Sequence, residues 1–194
     1  MNSAPDRVDA ATDPPYVTDR ESFDAYTHRE IWELVHEALR PAELGRVAAG
    51  WQAGAEALDE LFAAFAAAVR REFAEWHGEA ATAARESTEQ FLRAGAAVRD
   101  VCAELHRLME SNSSAAQAIR DAIPPPPEPY APNPDPVLEA IEGGPRKMAH
   151  DIAAAEALAD AQDTLTFGYN STLVASGDAV PVFGTPDPSG EGAR

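Results

Sequence analysis

The sequence has little cysteine and no long run of apolar residues. Cys102 is the only cysteine among 194 residues, so no internal disulfide can form. Cysteine usage therefore does not decide between an oxidising and a reducing compartment. Its apolar surroundings favour a small core residue over a reactive thiol. No stretch reaches the roughly 18 apolar residues of a membrane span. The Ala-rich run from Leu61, for example, is closed by Arg70 and Arg71.

Positive charge is also scarce, with 15 basic against 33 acidic residues and a net charge of -18. Binding to a phosphate backbone or to anionic lipid needs clustered Lys and Arg, so the sequence predicts no nucleic-acid partner and no anionic-membrane surface. The segment Met1 to Arg20 lacks the basic start and apolar run of a general-pathway signal peptide. We therefore expect a chain that is soluble when made and that uses another route if it is exported.

Apolar residues make up 45% of the chain, but many are Ala, the best helix former and a poor source of buried area. Long helices packed side by side suit this composition better than a compact globule. The capping-box pattern from Thr18 to Glu21 predicts the start of a first helix, which we expect to run to Arg40. Pro41 is then expected to end that helix and to open the next one.

Two long apolar stripes follow, each with steps of three and four residues, and this pattern indicates paired helices. The first contains Leu44, Val47, Trp51, Ala55, Leu58, Leu61, Phe65, Val69 and Phe73, and the second contains Ala80, Ala84, Thr88, Phe91, Gly95, Val98, Val101, Leu105 and Leu108. Trp76-His77-Gly78 is the only break between them. Stripes of matched length joined by a short break bury their seams by folding back, so the sequence predicts an elongated antiparallel hairpin that turns at residues 76–78.

The remaining elements are shorter. The polar run Ser111 to Ser114 predicts a frayed or kinked section of the second long helix. A proline-rich tip over residues 124–136 should be extended, and Asp135-Pro136 is a good start for a further helix. Gly143-Gly144-Pro145 is expected to interrupt that helix. The predicted organisation is a disordered start over 1–18, an all-α domain over 19–167 and a flexible tail over 168–194.

Chemistry-bearing motifs are few. Glu33 and His36 have the Glu-x-x-His spacing of di-iron helical bundles, but no second copy exists in the chain, so no metal site is predicted. No Gly-x-Ser-x-Gly turn and no phosphate loop is present, so we predict neither catalytic residues nor a cofactor.

The chain resembles the PPE proteins, which belong to the Trp-x-Gly helical-hairpin superfamily of type VII (ESX) secretion substrates in actinobacteria. The matching features are Trp51, the turn Trp76-His77-Gly78 before an Ala-rich helix, Ile123 followed by Pro124-Pro125-Pro126, and Phe167-Gly168-Tyr169 after a last Ala-rich helix. They cover roughly residues 20 to 170. One departure is Tyr16, which stands where the family's Pro-Pro-Glu opening has Glu.

The resemblance implies a non-enzymatic protein that is exported folded, in a four-helix bundle with a small PE-like or Trp-x-Gly partner. It makes Trp76 and Gly78 the turn or secretion motif. We expect the partner to cover the apolar residues of the hairpin, which are Trp51, Leu58, Phe62, Phe65, Val69, Phe73, Phe91, Val98 and Leu105. The resemblance also implies that a cytosolic chaperone binds the proline-rich tip, with Ile123 and Tyr130 as contacts.

The family's export signal, Tyr-x-x-x-Asp/Glu, commonly lies in the partner. The segment Tyr169 to Leu173 does not match it, whereas Tyr26 to Glu30 does, although we interpret Tyr26 as a packing residue. Two other functions remain open from the sequence. The same stripes would suit an intracellular coiled-coil scaffold or homodimer, and Glu33 with His36 would suit a helical-bundle metalloenzyme.

Overall fold

The computed structural model describes residues 12–184, and this part of the chain is all-α. Its helices are α1 (His28–Ala38), α2 (Pro41–Glu72), α3 (Glu79–Ala122) and α4 (Pro136–Asp163), followed by a π-helical segment (Thr164–Val174) and a 3₁₀ segment (Ala175–Ala179). The predicted helical class is confirmed, as is the start of α2 at Pro41. The described residues form two compact units. We call them the hairpin unit (residues 12–15, 45–110 and 178–184) and the core unit (residues 16–44 and 111–177).

The hairpin unit contains most of α2 and the first three quarters of α3, which pack antiparallel. Near one end, the ring Nδ1 of His106 lies 3.0 Å from the carbonyl oxygen of Ala48. Closer to the turn, the rings of Phe65 and Phe91 lie 5.5 Å apart. Each step forward along α2 is thus matched by a step backward along α3, which confirms the predicted hairpin. Cys102 is buried in this unit, as expected.

The core unit has a well-packed centre that α1, the end of α3 and the end of α4 build together. Its buried residues are Phe23, Ile31, Val35, Ile119, Ile123, Ala161 and Leu165. Arg120 on α3 donates through Nη1 to the carbonyl oxygens of His36 and Leu39 at 2.9 and 2.6 Å. Because those carbonyls end α1 and have no intrahelical donor, Arg120 caps α1 across the unit.

The capping box lies later than predicted. Residues 18–27 are not helical, and the box that starts α1 uses Thr27 and Glu30. The prediction at Thr18 was wrong because Phe23 enters the core, with 1% of its surface exposed, from an irregular segment rather than from a helix. Both tetrads fit the same pattern, and tertiary packing selects the second.

Two predicted interruptions are absent from the structure. Helix α3 runs through Ser111 to Ser114 without a break, and Ser113 donates its hydroxyl to the carbonyl oxygen of Pro41 at 2.8 Å rather than to the backbone of its own helix. Helix α4 likewise continues through Pro145. Pro145 costs that helix one backbone hydrogen bond. Packing on both sides of the proline, by Glu139 and His150 against the preceding segment, holds the helix together.

The structure also differs from the prediction in the described parts of the predicted disordered start and flexible tail. Residues 168–179 continue as helix, with Tyr169 packed edge-on against Phe23 at 6.2 Å, where the sequence predicts a loose tail. At the start, the amide of Asp13 donates to the carbonyl oxygen of Val180 at 2.9 Å. Aromatic and backbone contacts order these parts despite their polar composition. Residues 1–11 and 185–194 of the predicted ends lie outside the described residues.

Candidate partner-binding surfaces

The turn of the hairpin occupies residues 73–78, between the end of α2 at Glu72 and the start of α3 at Glu79. Gly78 has a φ of +102°, in the region that favours glycine. It is the last residue of the turn and directly precedes α3. The indole of Trp76 is 45% exposed and packs on Phe73 at a ring distance of 5.3 Å.

Arg85 holds this turn in place, a role that the sequence analysis missed. Its Nη2 donates to the carbonyl oxygens of Phe73 and Trp76 at 2.7 and 2.6 Å. The guanidinium also lies 5.9 Å from the centroid of the Phe73 ring. Because Arg85 comes two turns into α3, it ties the start of that helix to the end of α2. No short motif indicates such a contact, since it depends on how α3 folds back.

The seam between α2 and α3 takes up most of the residues that we predicted for the partner interface. Phe62 packs on Gly95, where its ring occupies the space that a Cβ at position 95 would need. Leu105 is buried, at 7% exposure. The half-buried members are Trp51, Leu58, Phe62, Val69, Phe73 and Val98. These seven side chains are covered wholly or in part within the chain itself, and their part in a partner interface stays a prediction.

Two predicted interface residues and one additional residue form an exposed apolar edge of the hairpin. Phe65 is 39% exposed and Phe91 is 55% exposed, and Phe91 also contacts Phe62 at a ring distance of 5.5 Å. Leu61, which is 62% exposed, lies one turn before Phe65 on the same side of α2. We call Leu61, Phe65 and Phe91 the hairpin edge. Leu61 belongs to the first predicted stripe but not to the predicted partner interface.

The proline-rich tip is attached to its own unit at several points. Ile123 is buried in the core, with 1% exposure, so it is not available as a surface contact. His28 donates through Nε2 to the carbonyl oxygen of Pro124 at 3.0 Å. Tyr130 is half-buried and donates its hydroxyl to Glu139 at 3.1 Å. Burial and this hydrogen bond raise the pKa of Tyr130 above its ordinary value.

The segment from Tyr26 to Glu30 has a structural role. The ring of Tyr26 packs against Phe23 at 5.8 Å, and its hydroxyl donates to Glu21 at 2.5 Å. Glu30 accepts from the amide and the hydroxyl of Thr27 at 2.8 and 2.7 Å as part of the capping box. The interpretation of Tyr26 as a packing residue is confirmed, since it packs against the core cluster.

The groups that sequence analysis considered for metal chemistry lie on α1. The ring of His36 stacks on Trp32 at 4.6 Å, and its Nδ1 donates to the Trp32 carbonyl oxygen at 2.9 Å. Glu33 is exposed and lies 3.9 Å from Arg29. Within residues 12–184, histidine, cysteine and acidic side chains do not gather in groups of three or more that could hold a metal ion. In the same range, no helix is both long and apolar enough to cross a membrane.

Comparison of the chain with protein-family models, with curated proteins and with solved structures gives no match. The surfaces described above are therefore the basis for assigning a function.

Proposed function

We propose that this chain is a non-enzymatic PPE-like protein of a type VII secretion system that forms a helical bundle with a small PE-like or Trp-x-Gly partner. The observation that carries the proposal is the hairpin edge. Three large apolar side chains are exposed side by side on two packed helices, a surface typical of a helix-binding protein. A partner hairpin laid along this edge would complete a bundle of four helices.

Charge favours a different protein over a second copy as the partner. The chain carries a net charge of -18, so two copies repel one another through their net charge. A partner with fewer acidic residues avoids that repulsion. The scaffold function with a homodimer remains the competing proposal, and the experiments below separate the two.

Export in this proposal depends on a signal carried by the partner. The one segment of this chain that fits the Tyr-x-x-x-Glu pattern is occupied by packing at Tyr26 and by helix capping at Glu30. Using it as a signal would require the start of α1 to open. A signal on the partner leaves the core unit intact.

A chaperone contact at the tip, as the resemblance implies, would need exposed side chains. Ile123 does not qualify because it is buried. Tyr130 is half-buried, whereas Leu138 at the start of α4 is 43% exposed. We therefore place this contact at Tyr130 and Leu138. A Leu138→Ser variant is expected to lose chaperone capture while retaining the partner.

Co-expression with a small PE-like or Trp-x-Gly helical protein tests the proposed bundle. We expect the two chains to purify together in equal amounts. Replacing the hairpin edge by serine (Leu61→Ser, Phe65→Ser, Phe91→Ser) should weaken the complex by more than about tenfold, because several large apolar side chains lose their cover. Phe167→Ser is the matched control, since Phe167 is 71% exposed but lies in the core unit.

Two outcomes would contradict the proposal. One is co-purification that the edge variant leaves unchanged or that Phe167→Ser reduces equally. The other is a failure of export, since the chain should reach the culture filtrate when the type VII ATPase is active and only then. Retention in the cells with and without that ATPase would favour the intracellular scaffold.

A further inference from the structure

Helix α4 presents a second apolar surface, separate from the hairpin edge. Ile141, Met148 and Ile152 are 69%, 66% and 54% exposed. The small residues Gly144, Ala155 and Ala159 are exposed as well and continue the series at steps of three and four residues. Such steps place all six positions on one side of an α-helix. We call them the α4 stripe.

The α4 stripe lies away from the side of α4 that packs in the core unit. Gly143 and Ala161 are the buried residues of that packed side, and neither belongs to the stripe. On the outer side, Gly144, Met148, Ile152 and Ala155 line a shallow open groove together with Lys147 and Asp151. The stripe is therefore a continuous apolar surface that the described residues leave uncovered.

Acidic residues border the stripe along one side. Glu142 near the start of the stripe and Glu156 and Asp160 near its end lie on that side of the helix, all of them exposed. Their carboxylates have no ion pair among the described residues. On the other border, Lys147 and Asp151 pair at 2.5 Å. That border is therefore balanced, whereas the first carries three carboxylates and one cation, Arg146, which pairs with Glu139 at 3.5 Å, so that its net charge is negative.

We propose that the α4 stripe docks an amphipathic helix of another protein whose apolar face is bordered by Lys or Arg. The apolar residues supply the contact area, and the acidic border selects a basic partner. A second copy in antiparallel orientation would place the acidic border against itself, which is unfavourable. An anionic membrane surface is disfavoured by the same charges. This docking goes beyond the proposed function, since it uses none of the hairpin-edge residues.

The test uses a fluorescein-labelled helical peptide of about 20 residues, which spans about 30 Å and so covers the stripe. Leu occupies its apolar face and Lys its borders, and binding to the full chain is followed by anisotropy. We expect saturable binding at one peptide per chain. Ile141→Ser, Met148→Ser and Ile152→Ser together should weaken it at least tenfold. Lys147 is the only lysine in the sequence, so its ¹³C-dimethyl signal should shift on binding and report contact at the stripe.

Matched controls separate docking from general attraction between opposite charges. Neutralising the border by Glu142→Gln, Glu156→Gln and Asp160→Asn should weaken binding about tenfold at low salt. The same charge change at exposed Glu75, Glu79 and Glu86 in the hairpin unit should leave it unchanged. A hairpin-edge serine variant should also bind normally, so failure of the proposed function would not affect this result.

The proposal is overturned if the stripe variant binds the peptide as tightly as the native chain, or if both sets of neutralised residues weaken binding equally. It is also overturned if sedimentation shows a dimer that the stripe variant abolishes, because the occupant is then a second copy. Binding to phosphatidylglycerol vesicles that depends on the stripe would identify a membrane surface as the occupant and would also overturn the proposal.

Discussion

Phe62 of α2 packs directly on Gly95 of α3, and its ring fills the space that any larger residue at position 95 would need. This contact lies in the middle of the hairpin, next to the exposed ring of Phe91. It fixes how closely the two helices approach and so sets the position of the hairpin edge.

Gly95→Ala is expected to destabilise the hairpin by about 1–3 kcal/mol, because the added methyl group overlaps the Phe62 ring. Urea unfolding followed by tryptophan fluorescence measures this in a Trp32→Phe background, where both remaining tryptophans belong to the hairpin unit. The control is Gly54→Ala on α2, where no atom lies within 4 Å of the added carbon. It should stabilise the helix by about 0.5–1 kcal/mol. Equal effects of the two substitutions would contradict the close packing at Gly95.

Arg85→Met should loosen the turn, because two backbone carbonyls lose a charged donor while the aliphatic stem is kept. We expect a loss of about 1–2 kcal/mol in the same unfolding measurement. Arg93→Met on the same helix is the matched control. Within residues 12–184, Arg93 pairs only with exposed Glu89, at 3.9 Å, so its loss should cost less than about 0.5 kcal/mol. If Arg85→Met lowers the free energy of unfolding no more than Arg93→Met does, Arg85 does not hold the turn.

The capping box of α1 predicts a pH dependence of stability. Hydrogen bonds from the backbone amide and then the hydroxyl of Thr27 lower the pKa of Glu30 below its ordinary value of 4.5. A carboxyl with a lowered folded-state pKa stabilises the fold above its ordinary pKa, and this contribution is lost as pH falls through the folded value. Glu30→Gln keeps an acceptor but does not titrate, so stability should fall less steeply below pH 4.5.

Trp32 lies on α1, so fluorescence of a Trp51→Phe, Trp76→Phe variant follows this unit during acid titration. Glu33→Gln on the same helix provides the control, since Glu33 is exposed and lies 3.9 Å from its nearest cation. It should leave the acid limb of the stability curve unchanged. If both substitutions reduce the fall in stability at acid pH by the same amount, the capping box is not the cause.

Without its partner the chain should self-associate, because the hairpin edge leaves three large apolar side chains uncovered, and adding the partner should displace the second copy. Sedimentation velocity over a range of concentrations measures this. We expect the serine variant of the hairpin edge to sediment closer to a monomer than the native chain. A native chain that stays monomeric at every concentration would count against a partner-binding edge.

The pattern of apolar residues predicts the long helices and their crossover well, because a seam of this length imposes a clear period of three and four residues. The same pattern does not say on which side of the seam a residue lies. Phe62 and Leu61 are neighbours in sequence, yet Phe62 enters the seam and Leu61 is 62% exposed. The predicted interface therefore combined residues of the seam with residues of the edge.

Contacts between distant segments explain the other differences. The tetrads that begin at Thr18 and Thr27 carry the same capping signal, and burial of Phe23 decides between them. Pro145 has the local character of a helix breaker, yet α4 continues because the preceding segment packs against it through Tyr130. Arg85 reaches carbonyls 9 and 12 residues away, beyond any local pattern.

Site-specific photo-crosslinking tests the central claim, that the hairpin edge binds a partner helix, most directly. A photoreactive phenylalanine analogue is placed at position 91, or at position 167 as the control, in the chain co-expressed with a small PE-like or Trp-x-Gly helical protein. We predict a product of one chain plus that protein from position 91 and none from position 167. Products from both positions alike, or a product containing two copies of this chain, would contradict the proposed bundle.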